Sequence, residues 1–219
     1  KDSMKNDYGK GEDKISIPPT LLFSLFGDHP DVRMTATSDL KVAGEKLYLV
    51  GESLDELGAS EVSFMFRDED SSIGVGGNVP KLTDPESNLR TYRTLSKTIR
   101  QGLVQTSHDC SEGGVAVAIA EMCIGGRIGA IIDIDGTGDN SLWARLWGES
   151  LGRFIIGVKP ENEKKWLNEM KGHKVTYLGK TEQQDNLVIN DGFDEVINLN
   201  VNDLVSSWQN TLDMTGGSQ

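Results

Sequence analysis

From residue 85 onward, helical and strand patterns alternate along the chain. That order restricts it to a layered fold. The clearest helix start is at 83–86, where Thr83 or Asp84 caps, Pro85 sits in the first turn and Glu86 completes a TxxE pattern. Leu89, Tyr92, Leu95 and Ile99 recur at helical spacing as the expected buried stripe, and Gly102 ends it. An expected strand at 103–106 follows, then an apolar helix at 115–124 and an Ile-rich strand at 128–134. Next come a short helix at 142–147, a buried strand at 154–158 and a helix from Pro160 to Lys171 with Trp166 and Met170 inside. Strands at 175–178 and 187–189 and a helix around Leu204, Val205 and Trp208 complete the series. The order, roughly α-β-α-β-α-β-α-β, predicts an α/β or α+β layer domain with crossover helices.

The part before residue 85 reads differently. Residues 1–14 are polar and loop-like, Ile15–Ile17 is a short strand stopped by Pro18-Pro19, and 20–26 (TLLFSLF) is an apolar strand or buried helical turn. Residues 31–37 alternate as an expected strand, and Lys46–Val50 (KLYLV) is another. Composition turns acidic and small over 51–60, a natural junction. Val62–Phe66 is a short strand or a helix start. Residues 213–219 read as a disordered tail.

Charge narrows the function. Lys and Arg number 22 and Asp and Glu 34, a net charge of −12. That balance argues against a protein that grips nucleic-acid phosphates. No apolar run approaches the roughly 20 residues of a membrane span. Cys110 and Cys123 show no CxxC spacing, and with only His29, His108 and His173 beside them they read as small packing residues in a reducing cytosol. The chain begins with Lys1 rather than Met, so the expectation is a piece of something longer.

Four segments could carry chemistry. The sharpest is 106–114 (TSHDCSEGG), between a strand and a helix. There His108 and Asp109 reach a strand end, Ser111 could cap the helix, and Gly113 and Gly114 would let backbone approach an anion at the helix start. An ordinary strand-turn-helix corner with packing glycines fits the same residues. The segment is neither GxGxxG nor GxxxxGK[ST]. The second segment is 148–153 (GESLGR), in which Glu149 and Ser150 could bind a polyol or ribose and Arg153 a phosphate; the alternative is a solvated Glu–Arg pair. The third is the opening KDSMKND, which could offer oxygen ligands to Mg²⁺ or could be an unstructured terminus. The fourth is Gly74–Pro80 (GVGGNVP), a lid or a linker. Trp143 and Trp147, at i and i+4, read as packing on one helix face.

Taken in order, KDSMKND, SIPPTLLFSLFG, LKVAGEKLYLVG, ELGASE, SHDCSEGGVAVAIAEM and GESLGRFIIGV resemble the C-terminal part of the synthetase subunit of phosphoribosylformylglycinamidine synthase. The resemblance runs from Lys1 to about Val188. The wider superfamily includes aminoimidazole ribonucleotide synthetase, selenophosphate synthetase and thiamine-phosphate kinase. The resemblance implies an aminoimidazole ribonucleotide synthetase-like C-terminal domain over 53–212, a mixed sheet with crossover helices, preceded over 1–52 by part of an ATP-cradling α/β domain. It implies a cytoplasmic, ATP- and Mg²⁺-using ligase that phosphorylates the amide oxygen of formylglycinamide ribonucleotide and then displaces phosphate with ammonia. The implied partners are the upstream half of the same subunit, a glutaminase subunit and a small bridging subunit, with no nucleic acid and no membrane.

Position by position, the resemblance implies substrate or phosphate contact at Ser3, Mg²⁺ binding at Asp109 and a substrate-binding pair at Glu149 and Ser150. The phosphate loop would be Ser111, Gly113 and Gly114. It assigns the catalytic His to the upstream half, so no residue here, His108 included, inherits that role. Two other readings are a non-catalytic half holding a structural nucleotide, and a related enzyme such as aminoimidazole ribonucleotide synthetase. Unpaired strand edges in the partial domain would favour a homo-oligomer.

Overall fold

In the computed structural model, which describes residues 2–4, 7–8, 15–16, 20–66 and 77–210, the chain divides into two units, Lys1–Arg33 and Met34–Gln219. Among its described residues the first carries four short strands: β1 (Asp2–Met4), β2 (Asp7–Tyr8), β3 (Ile15–Ser16) and β4 (Thr20–Leu22). They form two antiparallel pairs, β1 with β4 and β2 with β3. Past β4, Leu25 and Phe26 are almost fully exposed.

The second unit is built on seven strands: β5 (Lys46–Val50), β6 (Thr106–Asp109), β7 (Gly129–Asp133), β8 (Phe154–Val158), β9 (Val175–Glu182), β10 (Asn186–Asp191) and β11 (Asp194–Asn200). Their order in the sheet is β11-β10-β7-β9-β5-β8-β6. The β7–β10 pair is parallel and the other neighbours are antiparallel. Among the described residues six helices accompany them: α1 (Glu61–Met65), α2 (Pro85–Arg100), α3 (Gly114–Gly126), α4 (Leu142–Trp147), α5 (Pro160–Glu169) and α6 (Val201–Gln209).

The apolar runs KLYLV and FIIGV form strands buried on both faces, which is why they do not alternate with polar residues. Leu47, Leu49 and Ile155 face one core, shared with Ile119 and Met122 of α3, Leu146 of α4 and Val205 of α6. Tyr48, Val50, Ile156 and Val158 face the other, shared with Leu95 of α2 and Trp166 of α5. Trp166 is completely buried, and truncating a side chain of that kind costs about 3–5 kcal/mol. Helix α2 begins where its signals place it, with the Asp84 carboxylate accepting from the Ser87 N–H at 2.9 Å. Apolar on nearly every side, α3 sits in the middle of its layer.

Several expectations change. Residues 31–37 do not form a strand. Val32–Met34 is a 3₁₀ turn, because the Asp31 carboxylate accepts from the Arg33 N–H at 3.0 Å and competes with extended pairing. The strand expected at 103–106 starts at Thr106, since Leu103 and Val104 are taken into the α2–α5 core. In α2, Leu95 is buried, whereas Leu89 and Tyr92 are exposed. Strand β11 (DEVINLN) was not anticipated.

The boundary expected after residue 52 also differs from the division after Arg33. Strand β5 pairs with both β8 and β9, so 46–50 lies within the second unit's sheet. The tail at 213–219 lies outside the described residues, as do residues 74–76 of the GVGGNVP loop.

Candidate ligand cleft

Strands β6 and β8 are antiparallel neighbours, with Asp109 paired to Phe154. Asp109 ends β6, and Phe154 follows directly on the 148–153 segment. This pairing brings the two most informative motifs to one end of the sheet. A cleft of about 700 Å³ opens there. Ser107, Asp109, Ser111, Glu112 and Glu149 supply its polar lining, and Tyr92, Leu151 and Phe154 an apolar wall. Tyr92 and Phe154 meet edge to face, with ring centroids 5.6 Å apart.

The Asp109 carboxylate is open to the cleft, with 61% of its side chain exposed. The Ser111 hydroxyl donates to it. Ser111 therefore orients Asp109 and does not cap α3, whose N-cap is Gly113 with no side-chain cap bond. His108 does not line the cleft; its Nε2 lies 3.3 Å from the Glu121 carboxylate. Burial pushes the Cys110 thiol up to about 11, so this cleft residue is not a thiolate nucleophile near neutral pH.

The two glycines have conformational reasons of their own. Gly113 and Gly114 both lie in the left-handed region, at φ +75° and +64°. A Cβ on Gly114 would come within 2.6 Å of the Gly148 carbonyl oxygen and 2.7 Å of that of Leu146. Gly114 thus lets the start of α3 pack against the end of α4. The Gly113 N–H is already engaged, donating to Glu149 Oε1 at 3.0 Å.

The 148–153 segment departs furthest from expectation. Ser150 is 1% exposed and is not part of the cleft lining. Its Oγ accepts from the Leu54 N–H at 3.1 Å. Arg153 borders the cleft, but it is not half of a solvated pair. It is 1% exposed, and its guanidinium donates to the Ser150 carbonyl at 3.0 Å, to Ser53 Oγ at 2.9 Å and to the Gly148 carbonyl. Burial lowers its pKa, opposed by the field of Cys110, Glu56 and Glu149.

Ser3 lies in β1 opposite Leu21 of β4. Sequence reasoning missed Glu112, Tyr92 and Phe154 as cleft residues. For Glu112 the signal was its place inside SHDCSEGG. For Tyr92 it was concealed, since its helical spacing matched a core stripe.

Among the described residues no group of three or more His, Cys, Asp or Glu side chains is gathered as a metal cage. The exposed Asp109 suits a hard cation that arrives with its own phosphate and water oxygens, as Mg²⁺ does on a nucleotide. Among the described residues no helix is long and apolar enough to cross a membrane.

The description of a family model, "AIR synthase related protein, C-terminal domain", matches residues 42–192. Phosphoribosylformylglycinamidine synthase subunit PurL of Deinococcus radiodurans is 31% identical over 216 residues, spanning 96% of this chain and 28% of that protein. Two Thermotoga maritima PurL structures share the fold. The one complexed with FGAR has a TM-score of 0.65 at 19% identity, covering 80% of this chain and 30% of its own. The one complexed with ATP has a TM-score of 0.61 at 18% identity, covering 80% and 28%. The chain spans less than a third of the length of these relatives. With two thirds of its residues matched by the family model, and with the mixed sheet that carries the SHDCSEGG and GESLGR motifs to one end, the chain belongs to the AIR synthase related, C-terminal domain family.

Proposed function

We propose that this chain is the C-terminal portion of an ATP-dependent ligase that converts formylglycinamide ribonucleotide and ammonia to formylglycinamidine ribonucleotide in purine biosynthesis. The observation that carries this reading is the 31% identity to a PurL subunit along almost the whole chain. In the reaction, ATP transfers its γ-phosphoryl group to the amide oxygen, releasing ADP. Ammonia then adds to the activated carbon and phosphate leaves, which gives the amidine. Mg²⁺ bound to the nucleotide would screen the triphosphate charge.

The residues assigned to this chain hold and orient. Asp109, steadied by Ser111, would receive the nucleotide-borne cation. The Tyr92–Phe154 wall would exclude water from one side. Substrate or phosphate contact at Ser3 stays what the resemblance implies. The upstream half of the subunit, a glutaminase subunit and a small bridging subunit would be the partners, in the cytoplasm. A second reading, a non-catalytic half that holds a structural nucleotide, is favoured by one observation: Glu149, proposed from resemblance as a substrate contact, already accepts two backbone N–H groups.

The test replaces the matching C-terminal region of Deinococcus radiodurans PurL with this chain and asks whether the chimaera supports growth of a purine auxotroph lacking the subunit. Growth at a rate near that of the parent is expected. A soluble, folded chimaera that does not complement would contradict the proposal.

A further inference from the structure

We propose that Glu149 is the positioning residue of the cleft, holding its two flanking backbone turns in register through a single carboxylate oxygen. Oε1 accepts from the Gly113 N–H at 3.0 Å and from the Glu61 N–H at 3.0 Å. Gly113 caps α3, and Glu61 opens α1. These donors lie 36 and 88 residues from Glu149 in sequence, so neither contact is local. Both N–H groups belong to helix ends that lack intrahelical partners, where a carboxylate is favoured. A bond from an N–H to an ionised acceptor is also among the stronger kinds.

The rest of the segment supports the same role. The Glu149 N–H donates to the Glu56 carbonyl at 3.2 Å. Ser150 Oγ receives the Leu54 N–H, and Arg153 Nη1 reaches Ser53 Oγ. On the other side the Cys110 N–H donates to the Arg153 carbonyl at 3.0 Å. The 148–153 segment is thus stitched to 53–61 on one side and to 110–113 on the other, with Glu149 the side chain that touches both. A displacement of the turn bearing Asp109 would be felt at Glu61 through this oxygen. Only the catalytic meaning of that link rests on the function proposed above; the link itself can be tested without it.

The experiment is residue-resolved amide hydrogen exchange on the 219-residue chain, comparing wild type with Glu149→Ala and Glu149→Gln. In Glu149→Ala, protection at Gly113 and Glu61 should fall together by about tenfold or more, as expected for loss of a hydrogen bond to a charged group. The Cys110 and Leu54 amides, which donate elsewhere, should keep theirs. Glu149→Gln should retain most of the protection at both, because its carboxamide oxygen still accepts. Unchanged Gly113 and Glu61 amides in Glu149→Ala would overturn the proposal. So would a uniform loss across Cys110, Leu54 and β8, which would mark Glu149 as only a general stabiliser. If the Ala variant fails to fold, Glu149→Met, of similar length but without an oxygen acceptor, takes its place: unchanged protection at Gly113 and Glu61 would overturn the positioning role.

Discussion

The Thr106 hydroxyl donates to Glu45 Oε1 at 2.7 Å, and neither residue is reached by solvent. The pairing places a carboxyl group inside the sheet layer, and its second oxygen, Oε2, has no hydrogen-bond partner. Gly157, on the strand beside Thr106, leaves the room it occupies: a Cβ there would lie 2.1 Å from Glu45 Oε1. Burial raises the Glu45 pKa from its ordinary value, opposed by the Thr106 hydrogen bond and by nearby Lys41 and Lys159.

The pH consequence follows from that direction. With the folded pKa above the unfolded one, the folded state binds the extra proton. The stabilisation is complete below the unfolded pKa of about 4.5 and is lost as pH rises through the folded pKa. Glu45→Gln, which cannot ionise, should therefore gain thermal stability relative to wild type as pH rises from 4.5 towards neutrality. A melting-temperature difference that stays flat over this range would contradict the buried, raised carboxyl.

Arg153 offers a stability test that also separates structure from ligand binding. Replacing it with Leu should cost about 3–5 kcal/mol, the usual scale for removing one member of a buried charged network. Arg153→Lys should recover little, because one ammonium cannot match three acceptors set around a planar fork. Urea denaturation of the three proteins measures this. A Lys variant as stable as wild type would instead favour a simple charge role.

The glycines at the start of α3 can be weighed against one elsewhere. Gly114 and Gly44 both have positive φ, but a Cβ on Gly44 meets nothing within 4 Å. Gly44→Ala should cost about 1 kcal/mol from backbone strain alone. Gly114→Ala adds collisions with two carbonyl oxygens and should cost clearly more, about 3 kcal/mol or above. Equal losses in denaturation would contradict the packing reason given for Gly114.

Exposed apolar residues in the first unit predict self-association. Leu25 is 95% and Phe26 99% exposed, and exposed apolar clusters mark interaction surfaces. Sedimentation of the 219-residue chain should show concentration-dependent association that Leu25→Ser with Phe26→Ser abolishes. A wild-type chain that stays monomeric at high concentration would count against it.

Much of the second unit was legible in sequence because its signals are local. Pro85 and Asp84 fix the start of α2, and unbroken apolar runs fix β5 and β8. Strand β11 was hidden because it lies at the sheet edge, where Glu195, Asn198 and Asn200 blur the alternation. The Val32–Met34 turn depends on one side-chain bond from Asp31, which period-two patterning does not register. Asp109 and Glu149, singled out in separate segments, both line the cleft. The partners of Glu149, Ser150 and Arg153 are set by long-range packing, so residue type suggested ligand contacts where the fold uses internal ones.

The most direct test of the central claim, that the cleft at the ends of β6 and β8 serves the ligase reaction, uses the chimaera of Deinococcus radiodurans PurL that carries this chain. Turnover of formylglycinamide ribonucleotide with ATP and ammonia is measured for wild type and Asp109→Asn, together with the amount of tightly bound nucleotide. Loss of an oriented carboxylate at a metal–nucleotide site should lower turnover about tenfold or more while the protein stays folded. Unchanged turnover in Asp109→Asn, with or without loss of bound nucleotide, would contradict the account.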